Sequence, residues 1–198
     1  MRNKFIYIII FSILGAFEYP EFDVVVNNNP YPADIFIHST GPDCEFMAIL
    51  DSNMELRWHI ATIDGKGWDF KVNNNEKLTY FEKPVEHNDI GLWYVMDSYM
   101  QEVDTLGGAN GYNLDYHDIQ YLENGGYIIQ AYGKEEIDIS QTAHIDTANI
   151  LILQEFDQNH NLVYEWKNSD HMDIQEYIGD FNLNANYLRW MHGNSIEI

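Results

Sequence analysis

Two short stretches of this chain carry groups able to hold an anion. Near the middle stands Tyr116-His117-Asp118-Ile119-Gln120-Tyr121-Leu122, and the last residues are Met191-His192-Gly193-Asn194-Ser195-Ile196-Glu197-Ile198. In each, a histidine opens a strand-like run. Side chains two apart share a face of a regular strand, and neighbours oppose. His192 and Asn194 therefore project together, an imidazole beside a carboxamide. His117 and Asp118 point apart, with His117 on the face of Ile119. If the two runs are equivalent strands of a repeat, His117, His192 and Asn194 converge. Protonated imidazoles and an amide can donate hydrogen bonds to the oxygens of a tetrahedral oxyanion. A histidine can also act as a nucleophile, or as general acid for a leaving phenoxide. A metal site is the competing chemistry. His-x-Asn alone is a weak ligand set, and the chain has neither a His-Glu-x-x-His motif nor a cysteine cluster. The sequence thus predicts no metal and no cofactor.

Elements able to position these residues recur along the chain. Helical periodicity is weak. Short runs rich in Ile, Val, Tyr, Phe and Trp alternate with Asn, Asp and Gly, the pattern of strands and turns. Phe46–Leu50, the turn Asp51-Ser52-Asn53 and Glu55–Ile60 form one hairpin signal. Leu92–Met96 with Gln101–Leu106, and Ile150–Phe156 with Leu162–Trp166, are its counterparts around Asp97 and Asp157. After the first two comes a further pair of runs: Trp68–Val72 with Lys77–Phe81, then His117–Leu122 with Tyr127–Ala131. The turn Asn124-Gly125-Gly126 in the last pair is a strong hairpin signal. A third such pair is expected to begin at His192. Four short strands in about 45–50 residues is the spacing of a β-propeller blade. The sequence therefore predicts an all-β fold, an arc of roughly three blades over residues 18–198, where closed propellers typically have four to eight. On this reading the chain is part of a longer protein. An antiparallel sandwich complete in itself is the alternative. A polar insertion is expected around Lys134–Thr147, and a helical turn within Asp170–Leu188.

Composition narrows the partners. The chain has 198 residues and a formal charge of −22, with 15% aromatic residues. Nucleic acid is an unsuitable partner, since phosphate binding needs a basic face. An anionic membrane surface is disfavoured for the same reason. The acidity reads as a soluble, self-repelling surface. Calcium binding is the sharper possibility, but no Asp-x-Asp-x-Asp-Gly loop is present. Any anion site must be locally positive.

Residues 1–17 read as a signal peptide or N-terminal anchor. Arg2 and Lys4 precede the apolar run Phe5–Phe17, with Gly15 and Ala16 near its end. The run is short for a membrane span, which needs about 20 apolar residues. Export is the expectation, to the periplasm, the outside of the cell or the cell envelope. Cys44 is the only cysteine, so an exported chain has no internal disulfide, and Cys44 is expected to be a buried small apolar residue.

Taken together, His117-Asp118-Ile119-Gln120-Tyr121-Leu122-Glu123-Asn124-Gly125 and Tyr164-Glu165-Trp166…Asp170-His171…Trp190-Met191-His192-Gly193-Asn194-Ser195-Ile196 resemble the arylsulfotransferase (arylsulfate sulfotransferase) family. The resemblance covers roughly residues 45–198. It implies an exported six-bladed propeller. It further implies transfer of a sulfuryl group from an aryl sulfate to a phenol, through a transiently sulfated histidine and without a nucleotide donor. His117 matches the first sulfate-binding histidine of that family, and His192 and Asn194 match its His-x-Asn pair. The family's binding arginine and sulfate-accepting histidine lie further downstream in its pattern. The chain as given is therefore expected not to turn over. The rival expectation is a non-catalytic exported propeller that binds a ligand or protein partner.

The remaining candidates have plainer readings. His171 could orient a site group, or lie in the polar turn Ser169-Asp170-His171. Tyr112 and Tyr116 could stack on an aryl group, though core packing also suits them. His38, His59, His87, His144 and His160 are expected at the surface or in packing. Trp58 and Trp166 are expected in the core of the repeat. Trp68-Asp69-Phe70 sits near the place of His117 in the preceding unit, in a register ambiguous by one residue, and receives no role.

Overall fold

One kind of tight turn recurs through the chain. The amides of Asp51, Asn73, Asp97, Leu122 and Asp157 each donate to the carbonyl four residues on, and each of their carbonyls accepts the amide three residues on. The residue just before each turn closes has positive φ: Met54 (67°), Glu76 (61°), Met100 (59°), Gly125 (84°) and His160 (63°). This is the three-residue hairpin loop that ends in a left-handed residue. Three of the turns carry an aspartate that caps them. Asp51 Oδ1 accepts the amides of Asn53 and Glu55, Asp97 Oδ1 those of Tyr99 and Gln101, and Asp157 Oδ1 those of Asn159 and Asn161, all at 2.8–3.1 Å. A short carboxylate can reach its own backbone two residues on, which is why Asp marks these turns.

The computed structural model describes residues 23–41, 44–62, 66–83, 90–137, 147–181 and 188–198. They form an all-β structure of three sheets. The first is β1 (Ile35–Gly41), β2 (Cys44–Leu50) and β3 (Leu56–Ala61). The second is β4 (Lys66–Val72), β5 (Leu78–Glu82), β6 (Leu92–Met96) and β7 (Glu102–Leu106). The third is β8 (Asn113–Tyr121), β9 (Tyr127–Glu136), β10 (Thr147–Phe156) and β11 (Leu162–Lys167). Within each, consecutive strands pair antiparallel in chain order. β12 (Leu188–Arg189) adds a short parallel pairing to the start of β10. Three sheets replace the two of a sandwich.

The four-strand unit expected from the sequence is present, but its boundary lies two strands earlier. Each pair of runs joins the hairpin that follows it, so β4 and β5 belong with β6 and β7. A second expectation fails at the end of the chain. No strand begins at His192, and residues 190–198 run without a ladder of their own. The helical turn does appear, as α1 (Asn168–His171) and a 3-10 turn at Ile174–Asp180. Asn168 is fully buried and accepts the Leu151 amide through Oδ1 at 2.9 Å, which satisfies β10 just where β11 leaves it. Residues 1–17, His87, His144, much of the polar insertion and the Cys44 side chain lie outside the described residues.

Period-two alternation explains the packing. In the second sheet, Leu78, Tyr80 and Met96 face a core with Met47, Ile49 and Phe70. Phe81, Trp93, Val95 and Leu106 face the opposite core, with Ile119, Ile129, Ile150 and Ile152 of the third sheet. Adjacent residues thus serve two cores, and the second sheet is a middle layer. Cross-strand partners reinforce it: Tyr80 stacks on Tyr94 at 5.1 Å, and Phe81 meets Trp93 edge-on at 5.2 Å. The last strands β3, β7 and β11 are largely exposed. Trp58 and Trp166, expected in the core, stand on β3 and β11 and are only half-buried.

Candidate functional site

The first strands of the second and third sheets, β4 and β8, pack against each other. The shared turn geometry sets their register. Counting back from Asn73 and Leu122, Phe70 matches Ile119, Asp69 matches Asp118, and Trp68 matches His117. Both strands are bulged here. In β4 the ladder slips twice between Lys66 and Lys71, where Gly67 and Asp69 adopt positive φ of 103° and 49°. In β8, Leu114 pairs with Ala131 and Ile119 with Ile129, so the segment 115–118 stands opposite Gln130 alone. A bulge re-aims side chains, and strand parity fails. The neighbouring rings of Tyr116 and His117 stack at 4.2 Å, which opposed side chains of a regular strand cannot do. His117 is therefore not placed with Ile119, which is wholly buried in the core.

The bulge gives His117 a fixed partner. Asp115, itself buried, accepts the His117 backbone amide at 2.9 Å and the ring Nδ1–H at 2.6 Å on the same oxygen. The nitrogen left to a ligand is Nε2, an acceptor on the neutral ring and a donor on the imidazolium. The His192 ring lies edge-on to it, 4.8 Å between centroids and 86° between planes. Residues far apart in sequence thus meet through rings rather than through a paired strand. Tyr132 of β9 holds His192. Its hydroxyl accepts the Gly193 amide at 3.0 Å and is hydrogen-bonded to His192 Nδ1 at 3.3 Å. At Gly193, between the two site residues, a Cβ would lie 1.9 Å from Gln130 Oε1, so any larger residue forces that buried side chain to shift. His192 and Asn194 are both exposed, two residues apart.

Rings continue the row on the other side of His117. Tyr116 meets Trp68 at 4.6 Å, and Trp68 meets His38 of β1 at 5.2 Å. Lys83 Nζ lies 3.6 Å from the Trp68 centroid and 3.8 Å from that of Tyr116, a cation held between two π-faces. This ammonium is one ring away from His117, in a chain whose net charge is strongly negative. Burial lowers the pKa of Lys83, and Asp115 opposes that shift. Burial, aided by the Lys83 charge, also lowers the pKa of His38.

Beneath the row runs a second polar chain. Lys71 Nζ reaches Asp69 Oδ2 at 2.7 Å and bonds Asp118 Oδ1. Asp118 is buried, and both its oxygens accept from Gln120 Nε2 at 3.1 Å. Its Oδ2 also accepts the Ile196 amide at 2.7 Å. Burial pushes the Asp69 pKa up to about 6 despite the opposing hydrogen bond from Lys71, and the Asp118 charge adds to the rise.

The structure brings His117 and His192 together and leaves Asn194 exposed two residues along the same segment. Asp115, Tyr132, Lys71 and Lys83 were not singled out by the sequence. The spacing Asp115-x-His117 was a visible signal. Tyr132 had none, because its place depends on how residues 190–198 return across β9. Tyr112 lies elsewhere, its ring 5.6 Å from Lys167 Nζ. His171 stacks on Trp166 at 5.4 Å, away from both histidines. His160 pairs with Asp104 at 3.2 Å. No group of three or more His, Cys, Asp or Glu suited to a metal occurs among the described residues. A family model described as Arylsulfotransferase (ASST) matches residues 24–198. No curated protein matches the chain.

Proposed function

The chain belongs to the arylsulfotransferase family, and on that premise we propose that it takes part in sulfuryl transfer from an aryl sulfate to a phenol. In this reading the three sheets are successive blades of a β-propeller. Their up-and-down order and the packing of β4 on β8 support it. His117, His192 and Asn194 hold the sulfuryl oxygens. The observation that carries this is the edge-on meeting of the His117 and His192 rings at 4.8 Å, each ring oriented by its own partner. The Asn194 amide is a donor as it stands, and the Nε2 atoms of His117 and His192 are donors on the imidazolium. In the transfer, the S–O bond to the aryl group breaks, the sulfuryl group passes to a nucleophilic nitrogen and then to the acceptor oxygen, and the proton that the acceptor phenol gives up balances the one that the departing phenoxide takes up. Donors fixed around the sulfuryl oxygens lower the cost of charge that develops there.

The family's nitrogen nucleophile is a histidine beyond the matched motifs, so the role given to His117 and His192 is that of holding. Export belongs to the same proposal, supported by Arg2, Lys4 and the apolar run Phe5–Phe17. The test is release of 4-nitrophenolate from 4-nitrophenyl sulfate with phenol as acceptor, using the protein as the gene encodes it. We expect His117→Ala and His192→Ala each to lower kcat by about 10²–10³-fold, the scale of one lost oxyanion donor. Undiminished turnover in His192→Ala rejects the site. Binding of the aryl sulfate with no transfer moves the protein to the ligand-binding class.

A further inference from the structure

We infer that Asp118 is the positioning residue that sets His192 and Asn194 against His117. The inference rests on the sulfuryl-transfer reading of those residues. Residues 190–198 carry both of them and lack a strand ladder. Something other than sheet pairing must hold the segment, since a free backbone of this kind costs entropy to order. Tyr132 holds it at Gly193. Beyond Asn194, the tether is the Ile196 amide, which donates to Asp118 Oδ2 at 2.7 Å in a buried setting. The Ile196 side chain is buried alongside.

Asp118 is the neighbour of His117 on the β8 bulge. One carboxylate therefore links the strand that carries the first histidine to the segment that carries the second. Its other oxygen is engaged by Lys71, and Gln120 bonds both. Lys71 in turn holds Asp69, the residue that matches Asp118 one sheet earlier. The chain Asp69–Lys71–Asp118–Ile196 thus runs from the second sheet through the third to the terminal segment. With all four bonds made, the Asp118 carboxylate has little freedom to rotate, and the Ile196 amide is held at one place. A carboxylate is required. The side-chain amide introduced by Asp118→Asn would have to turn its nitrogen to Lys71 or to the Ile196 N–H, donor against donor.

Hydrogen exchange and kinetics test this on the whole protein. In Asp118→Asn, a near-isosteric change, the Ile196 amide should exchange at least about tenfold faster while the amides of β9 and β10 keep their protection, which also shows that the protein is folded. In the transfer assay, Asp118→Asn should lower kcat clearly in the wild-type background and have little further effect in the double variant His192→Ala/Asn194→Ala, because Asp118 acts through the segment that carries both. A purely structural role predicts equal losses in both backgrounds, and that result overturns the inference. So does unchanged protection of Ile196. The exchange arm needs no activity: if the protein transfers no sulfuryl group but Ile196 loses protection, the tether stands and the transfer reading falls.

Discussion

Asp115 and Tyr132 orient the two site histidines through different chemistry. The carboxylate takes the Nδ1–H of His117, while the phenol hydroxyl holds both the Gly193 amide and Nδ1 of His192. The neutral His117 ring so held presents an acceptor through Nε2, and its imidazolium a donor. Asp69 makes a different point at the same scale. Its pKa is raised to about 6, chiefly by burial. An acid with a folded pKa above its unfolded value adds stability below the unfolded pKa and loses it as pH rises through the folded one. Ionisation of Asp69 therefore costs stability between about pH 4 and 6. Asp69→Asn removes that cost, so relative to wild type the variant should gain stability on going from about pH 4 to 7 in urea unfolding. A constant difference across that range would refute the assignment.

At the scale of elements, the turns and the bulges behave differently towards a reader of the sequence. The capping aspartates and Asn124-Gly125-Gly126 marked their hairpins because the chemistry of the turn is local: a carboxylate reaches amides two and four residues on. The left-handed residues inside the turns were not legible, since Met54, Glu76 and Met100 are not residues that favour positive φ. Met100→Gly should accordingly stabilise the protein by about 1 kcal/mol, read as a higher urea midpoint with unchanged slope. A lower midpoint would show that the Met100 side chain contributes more by packing against the core of Phe70 and Tyr80 than its backbone costs. The bulge of β8 was hidden for another reason. Whether residues 115–118 pair or loop out depends on how β9 lies beside them, and strand parity assumes that they pair. The same applies to β4. Its ambiguous register around Trp68 is resolved by the turn at Asn73, which places an indole where the next sheet has an imidazole.

For the whole molecule, the net charge of −22 sets the field that an anionic donor must cross. Self-repulsion of this kind keeps a protein soluble and slows like-charged ligands. Lys83, held between Trp68 and Tyr116, supplies a local positive group near the histidines, whereas Lys71 is neutralised by two aspartates. The unbalanced far field remains negative. The Debye length shrinks from about 30 Å at 0.01 M salt to about 8 Å at 0.15 M. KM for an aryl sulfate donor should therefore fall as sodium chloride rises over that range, the reverse of steered binding to a basic site. A KM that rises with salt would mean that local cations dominate the approach.

By itself the sequence determined the all-β class, the four-strand period, the capped hairpins and the two histidine motifs, because each depends on residues near in the chain or on simple alternation. It also carried the family, through the motifs around His117 and His192. The tertiary structure decided the phase of the repeat, since sheet membership depends on which strands pair and not on which follow one another. It decided that β8 bulges, that residues 190–198 lie across β9 and β8 without joining a sheet, and that Asp115, Tyr132 and Asp118 hold what the two motifs bring. Those contacts join atoms dozens of residues apart, and their geometry follows from the packing of whole sheets, which no local pattern encodes.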